Sequence, residues 1–263
     1  FEHSVTGDGA VGFSSGTTTN NGHIDVAGGL SVYSVAALVT NAENIASDVN
    51  SSGTVRFTGG TIDGYTVSGT GITEISNSVI SNEIISTTTL KVNSNSTLTI
   101  DADNIGSTNV AVNGELILGD GDIDFDVKGG TVSIAGNVNT TDKRVQSAVT
   151  VLEGGVLTAK ADLLRNSYNN NKVTNNGDLY LSGNINKAIY GTGVTHIDKE
   201  LTLTTNSSNK VIEGTLDLNN GTLITDVANN TIRNFNINKA TGTGDIIFNV
   251  NLAATTKADK ITL

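Results

Sequence analysis

Proline, cysteine, methionine and tryptophan are all absent from this chain of 263 residues. At average usage a chain of this length carries about a dozen prolines. Proline cannot donate to a β-ladder and is confined to sheet edges. Its absence suits strands that have neighbours on both sides. Without cysteine there is neither a disulfide framework nor a thiolate metal site. With no methionine, and Phe1 at the start, the sequence reads as a piece of something longer, so a missing signal segment carries no meaning. No run of about 18 apolar residues occurs, which excludes a membrane-spanning helix. Aromatic residues make up only 4%. The core must therefore be Val, Ile, Leu and Ala, which suits a thin, elongated core better than a globule. Basic residues are few as well: Lys and Arg total 15 against 26 acidic residues, for a net charge of −11. They do not cluster, and a phosphate backbone needs a basic stripe, so nucleic acid is excluded as a partner. The acidity favours solubility and repulsion between copies.

What is present is a repeated unit. Thr174 to Ile185 (TNNGDLYLSGNI) and Thr19 to Leu30 (TNNGHIDVAGGL) share an Asn/Gly corner, alternating apolar residues and a second Gly corner. Val49 to Ile62 and Val110 to Ile123 are looser copies. Short period-two segments follow one another: Thr54–Phe57, Thr89–Val92, Thr97–Ile100, Glu115–Leu118, Asp122–Val127, Thr131–Ile134, Asp178–Leu181, Glu200–Leu203, Thr215–Leu218 and Asp245–Phe248. Each is bounded by Gly, Asn, Ser or Asp and reads as a strand. Ser34 to Ala46 (SVAALVTNAENIA) alone has a helical look, with Ser34 as cap; strand, corner and strand is the favoured reading, since Val-Ala-Ala-Leu-Val also suits a buried strand. No amphipathic helix of ordinary length separates the strands, which excludes βαβ folds.

The spacing favours a parallel solenoid over a sandwich. Gly53, Gly114 and Gly177 lie 61 and 63 residues apart, room for three turns of about 20 residues in each gap. Val132, Val156, Leu179 and Leu201 step by 24, 23 and 22, and the next step, to Leu216, is 15. The expected architecture is a single all-β domain over residues 1–263, a parallel β-helix of about 12 turns of roughly 20–24 residues stacked ~4.8 Å apart. Asn and Gly are expected at the corners because they tolerate left-handed backbone cheaply.

The recurring N-x-G-x-[LV]-x-[LF]-x-G units, as in VTNNGDLYLSGNI and VIEGTLDLNNGTLI, and the ending Phe248 to Leu263 (FNVNLAATTKADKITL) resemble the passenger regions of bacterial autotransporters and related large secreted adhesins. The resemblance implies a right-handed parallel β-helix, an extracellular or cell-surface location, a membrane barrel beyond residue 263, and a stalk that serves as scaffold. Its partners would be a host or neighbouring-cell surface, protein or glycan, or further copies of itself.

No residue qualifies as catalytic, cofactor-binding or metal-binding by its context, and a non-enzymatic module is expected. Gly7 to Gly12 matches G-x-G-x-x-G but lacks the helix that a dinucleotide site needs. Gly12-Phe13-Ser14-Ser15-Gly16 matches a nucleophile elbow without its α/β sheet. His196 and Asp198 read as an outward pair flanking inward Ile197. Asp122, Asp124 and Asp126 form an outward row, with Ile123, Phe125 and Val127 inward. That row could hold Ca²⁺ or meet a lysine ladder, although Phe125 breaks the EF-hand pattern. A carbohydrate-active β-helix enzyme is the alternative, weakened by scattered Arg56, Arg144, Arg165 and Arg233 and by scarce aromatic platforms. Runs such as Thr17–Thr19, Thr87–Thr89 and Leu201–Thr204 suggest an ice-ordering Thr ladder, but Thr-x-Thr is not sustained from turn to turn. Neither terminus looks like a polar cap, which predicts further β-helix or an end-to-end contact. Specific function is expected where the repeat breaks, at Lys143 to Asn171 or near Gly214.

Overall fold

The computed structural model describes residues 2–140, 143–164, 173–185, 188–203, 210–225 and 234–247, with short strands at 250–251, 257–258 and 260–262. Residues 165–171 of the first repeat break, Arg165, Arg233, Thr204, and most of the Phe248 to Leu263 ending fall outside the described residues. The chain divides into two compact units, Phe1–Ser133 and Ile134–Leu263. Each is a parallel β-solenoid, with about 11 turns in all.

In the first unit each strand pairs in parallel with the one a turn later. Val49 lies beside Val67 and Val67 beside Ile85 on one face. Val55, Thr73, Leu90 and Val110 align on a second face. Val79, Leu98 and Leu116 align on a third. Strand partners here are 17 (Ile72 and Thr89) to 20 (Gly16 and Ala36) residues apart. The expected turn of 20–24 residues is therefore too long for this unit. Gly53 pairs off with Gly71, whereas Gly114 lies over Ser96, so the two stand at different corners and their spacing of 61 is not a whole number of turns. In the second unit the steps run from 16 (Leu179 and Thr195) to 26 (Phe235 and Ile261) residues. The sequence series Leu179, Leu201, Leu216 mixes two columns. Leu179 meets Thr195 and then Leu216, while Leu201 meets Gly183 and Leu223.

Alternation decides what is buried. Val55, Phe57, Leu90, Val92, Leu98, Ile100, Leu116 and Leu118 all point inward and are fully buried. Stacked aliphatic side chains of this kind contribute about 1.5–3 kcal/mol each when removed from water. The Ser34 to Ala46 stretch resolves as strand Ala36–Thr40 followed by the 3₁₀ turn Ala42–Asn44, capped by the Asn41 side chain accepting from the Glu43 amide. The Val-Ala-Ala-Leu-Val run favoured the extended form because Ala36 and Leu38 had a core to face. Ala102–Asn104 and Ala161–Leu163 are two further 3₁₀ turns, and no α-helix occurs among the described residues. Buried Tyr65 donates its hydroxyl to the Ala42 carbonyl at 2.9 Å, tying one turn to the next. Burial pushes its phenol well above the ordinary value.

The two TNNG corners have a different physical basis from the expected one. Asn20 and Asn175 point inward and are buried. Each side-chain oxygen accepts the amide of the glycine two residues on, Gly22 at 3.2 Å and Gly177 at 3.1 Å. Each amide nitrogen donates one turn onward, Asn20 to the Thr40 hydroxyl and Asn175 to the Val194 carbonyl. Gly177 does not have a positive φ. A Cβ there would collide with the carbonyl oxygens of Gly155 and Leu152, and at Gly22 with that of His3. These corners are glycine because turns stack backbone on backbone, and Asn because a buried cap is needed. The expected left-handed backbone occurs instead at the second corner of the same units, Gly29 and Gly183, and at Asn95, Lys199, Asn219 and Asn220.

Candidate functional site

The most concentrated polar chemistry lies in the second unit. Strand Val194–Leu203 turns Thr195 and Ile197 inward and His196 outward. Register sets Tyr180, His196 and Asp217 in one column across three turns. The His196 Nε2 lies 3.1 Å from Asp178 Oδ1 and its Nδ1 2.9 Å from Asp217 Oδ2. Its ring stacks on Tyr180, with centroids 4.4 Å apart and planes 12° from parallel. Asp217 also accepts the Asn219 amide through Oδ1 at 3.2 Å. The His196 side chain is only 15% exposed, so these contacts are shielded from water on most sides.

Both ring nitrogens face carboxylates, so both contacts are N–H···O bonds only when the ring carries two protons. A general base must turn a lone pair toward a substrate proton; here neither nitrogen is turned outward to do so. The arrangement clamps three turns. Asp198, expected as the partner of His196, lies two positions along the same strand, and the partners come instead from the preceding and following turns. Asp178 and Asp217 are 18 and 21 residues from His196. They become its neighbours only once the turn length is known.

A second cross-turn group stands in the first unit. Arg56, Glu74 and Lys91 align on successive turns. Glu74 receives Arg56 Nε at 2.7 Å and Nη2 at 2.6 Å on one oxygen, and Lys91 Nζ at 3.1 Å on the other. Burial raises the Glu74 carboxyl pKa and is the largest single influence. The hydrogen bonds and charges of Arg56 and Lys91 together outweigh it and hold the carboxyl below its ordinary value. Arg56 looked scattered in the sequence because its partner is one turn away.

The acidic row has the expected facing: Asp122, Asp124 and Asp126 are exposed, and Ile123, Phe125 and Val127 are buried. It is not one strand, since Gly121–Ile123 ends before the strand beginning at Asp126. The Asp122 amide donates to Asp103 Oδ1 at 2.8 Å and the Asp120 amide to Asp101 Oδ1 at 3.2 Å. The carboxylates of Asp101 and Asp103 therefore cap the backbone of the following turn. Among the described residues no group of three or more His, Asp or Glu is placed to hold a metal ion.

Gly7 to Gly12 runs from strand Val5–Gly7 into strand Val11–Phe13, and Gly12 to Gly16 runs from that strand into Gly16–Asn20, so neither opens a helix. Thr99 lies between Ile80 and Ile117, Thr89 lies between Ile72 and Asn109, and Thr87 points inward. No in-register Thr-x-Thr ladder forms from these residues. A small apolar pocket opens beside the first repeat break, against Leu164, Val173, Leu181, Ile185 and Ile189. It offers no polar side chain to orient a ligand.

The fold and these ladders define a parallel β-solenoid protein. Compared with known protein families, with curated proteins and with solved structures, the chain matches none. No helix among the described residues is long and apolar enough to cross a membrane.

Proposed function

We propose that this chain is a structural or adhesive β-helical module, a stalk or passenger segment of a bacterial protein displayed on or secreted from the cell surface, with no catalytic activity. The observation that carries the reading is how its outward charges are used. The two groups best suited to chemistry, Asp178–His196–Asp217 and Arg56–Glu74–Lys91, spend their polar atoms on one another across successive turns. The recurring corner-and-strand units, shared in style with autotransporter passengers and large secreted adhesins, point the same way. The partner would be a host or neighbouring-cell surface, protein or glycan, or another copy.

The carbohydrate-active reading keeps one observation in its favour: two carboxylates, a histidine and a tyrosine share an outward face. One experiment separates the two. The purified chain is assayed on a panel of polysaccharides and peptides, and on glycan and cell-surface arrays, beside its His196→Gln variant. Retained surface binding without turnover supports the module. Turnover that vanishes in His196→Gln while the fold persists overturns it in favour of the enzyme.

A further inference from the structure

Four Asn–Gly pairs occur in the chain: Asn21–Gly22, Asn113–Gly114, Asn176–Gly177 and Asn220–Gly221. An Asn–Gly pair can convert itself. The glycine backbone nitrogen, losing its proton to base, attacks the asparagine Cγ. A C–N bond forms, the side-chain nitrogen leaves as ammonia, and a cyclic imide results. Water then opens the imide at either carbonyl to give aspartate or isoaspartate. The reaction needs a free glycine N–H and an asparagine side chain free to rotate.

Three of the pairs meet neither condition. The Gly22 and Gly177 amides donate to Asn20 and Asn175, and the Gly221 amide donates to the Leu218 carbonyl at 2.7 Å. Their asparagine side chains are held too: Asn21 donates to Glu2 at 2.9 Å, Asn176 accepts from the Thr192 amide at 3.3 Å, and Asn220 accepts from the Thr243 hydroxyl at 2.5 Å. At Asn113–Gly114 neither group has a partner among the described residues. The Asn113 side chain is exposed and bonds to nothing, and the Gly114 amide is unbound. The difference lies one residue upstream. Inward Val112 stands where Asn20 and Asn175 stand in the TNNG corners, and valine has no oxygen to accept the glycine amide.

We propose that Asn113 is a spontaneous modification site of the folded chain, converting to aspartate and isoaspartate ahead of the other Asn–Gly pairs. A hydrogen bond of ordinary net strength lowers the share of free N–H about fivefold, which sets the expected minimum difference in rate. Isoaspartate adds a backbone carbon at a corner that bonds both neighbouring turns. There the Asn113 amide meets the Val92 carbonyl, the Glu115 amide meets Ser96, and the Gly114 carbonyl accepts from Thr131. The modification therefore loosens those rungs and adds a negative charge to the acidic first unit.

The test follows the full chain in mildly alkaline buffer, folded and in denaturant, by peptide mapping for a gain of about 1 Da and for isoaspartate. In the folded chain the Asn113 peptide should convert first. In denaturant the four should converge, because no hydrogen bond then protects any of them. Val112→Asn should slow Asn113 in the folded chain. Equal rates at all four sites in the folded chain, or Asn113 among the slowest, would overturn the proposal, whether or not Val112→Asn folds.

Discussion

At the scale of the residue, polar side chains in this molecule work across turns. Glu74 shows the consequence for pH. Its folded carboxyl is held below the ordinary value, so the folded state binds its proton less readily than the unfolded chain does. Its contribution to stability is complete above the unfolded glutamate value, about pH 4.3, and fades as pH falls through the lower folded value. The resistance of the wild type to chemical unfolding should weaken on acidification through that window. Glu74→Gln should be less stable at neutral pH and should lose part of that acid limb. A Glu74→Gln protein whose stability falls in parallel with the wild type down to the most acid point would remove Glu74 from the account. The exposure of Arg56 and Lys91, 45% and 39%, keeps the neutral-pH loss modest, roughly 0.2–1 kcal/mol.

At the scale of the element, the corner is the unit that sets the fold. Gly177 is needed for the close approach of stacked carbonyls, so Gly177→Ala forces backbone apart and should cost about 1–3 kcal/mol, as overpacking does. Gly9 has open space around it and no positive φ, and Gly9→Ala should stay within about 0.5 kcal/mol of the wild type. Denaturant midpoints of the two variants check the contrast; equal midpoints would mean that close approach is not what selects glycine. The same corners mark the limit of what the sequence discloses. Period two was legible in Thr97–Ile100 and Glu115–Leu118 because one face is apolar and buried. The parallel coil was legible from the repeated corners. Turn length was not, since strands such as Val194–Leu203 and Asp178–Ile185 run unbroken round a bend and hide a corner from the pattern. Register depends on turn length, so the partners of His196 and Arg56 were hidden with it. Asn20 and Asn175 were expected at corners for their tolerance of left-handed backbone; their burial follows from the Thr40 hydroxyl and the Val194 carbonyl one turn away.

At the scale of the whole molecule, charge is divided unequally between the two units. Residues 1–133 hold 15 of the 26 acidic residues and only three of the 15 cations, Arg56, Lys91 and Lys128, for a net −12. Residues 134–263 hold the remaining 11 and 12, for a net +1. Two of the first unit's three cations are already engaged by Glu74, while Asp101, Asp103, Asp120 and Asp122 stand exposed on adjoining turns. Strands of successive turns are about 4.8 Å apart, inside the Debye length of about 8 Å at physiological ionic strength. Like charges at that separation repel and destabilise the compact state. Added salt screens that repulsion and should steady the first unit, whereas the nearly neutral second unit has little repulsion to relieve. Hydrogen exchange on the full chain, measured from low salt to about 0.5 M sodium chloride, resolves the two. Amides such as Leu90, Leu98 and Leu116 should gain protection over the series, and Leu179, Ile197 and Leu216 should change little. If both sets shift together, charge does not govern the stability of the first unit, and the acidic side chains of its successive turns are already neutralised by neighbouring groups.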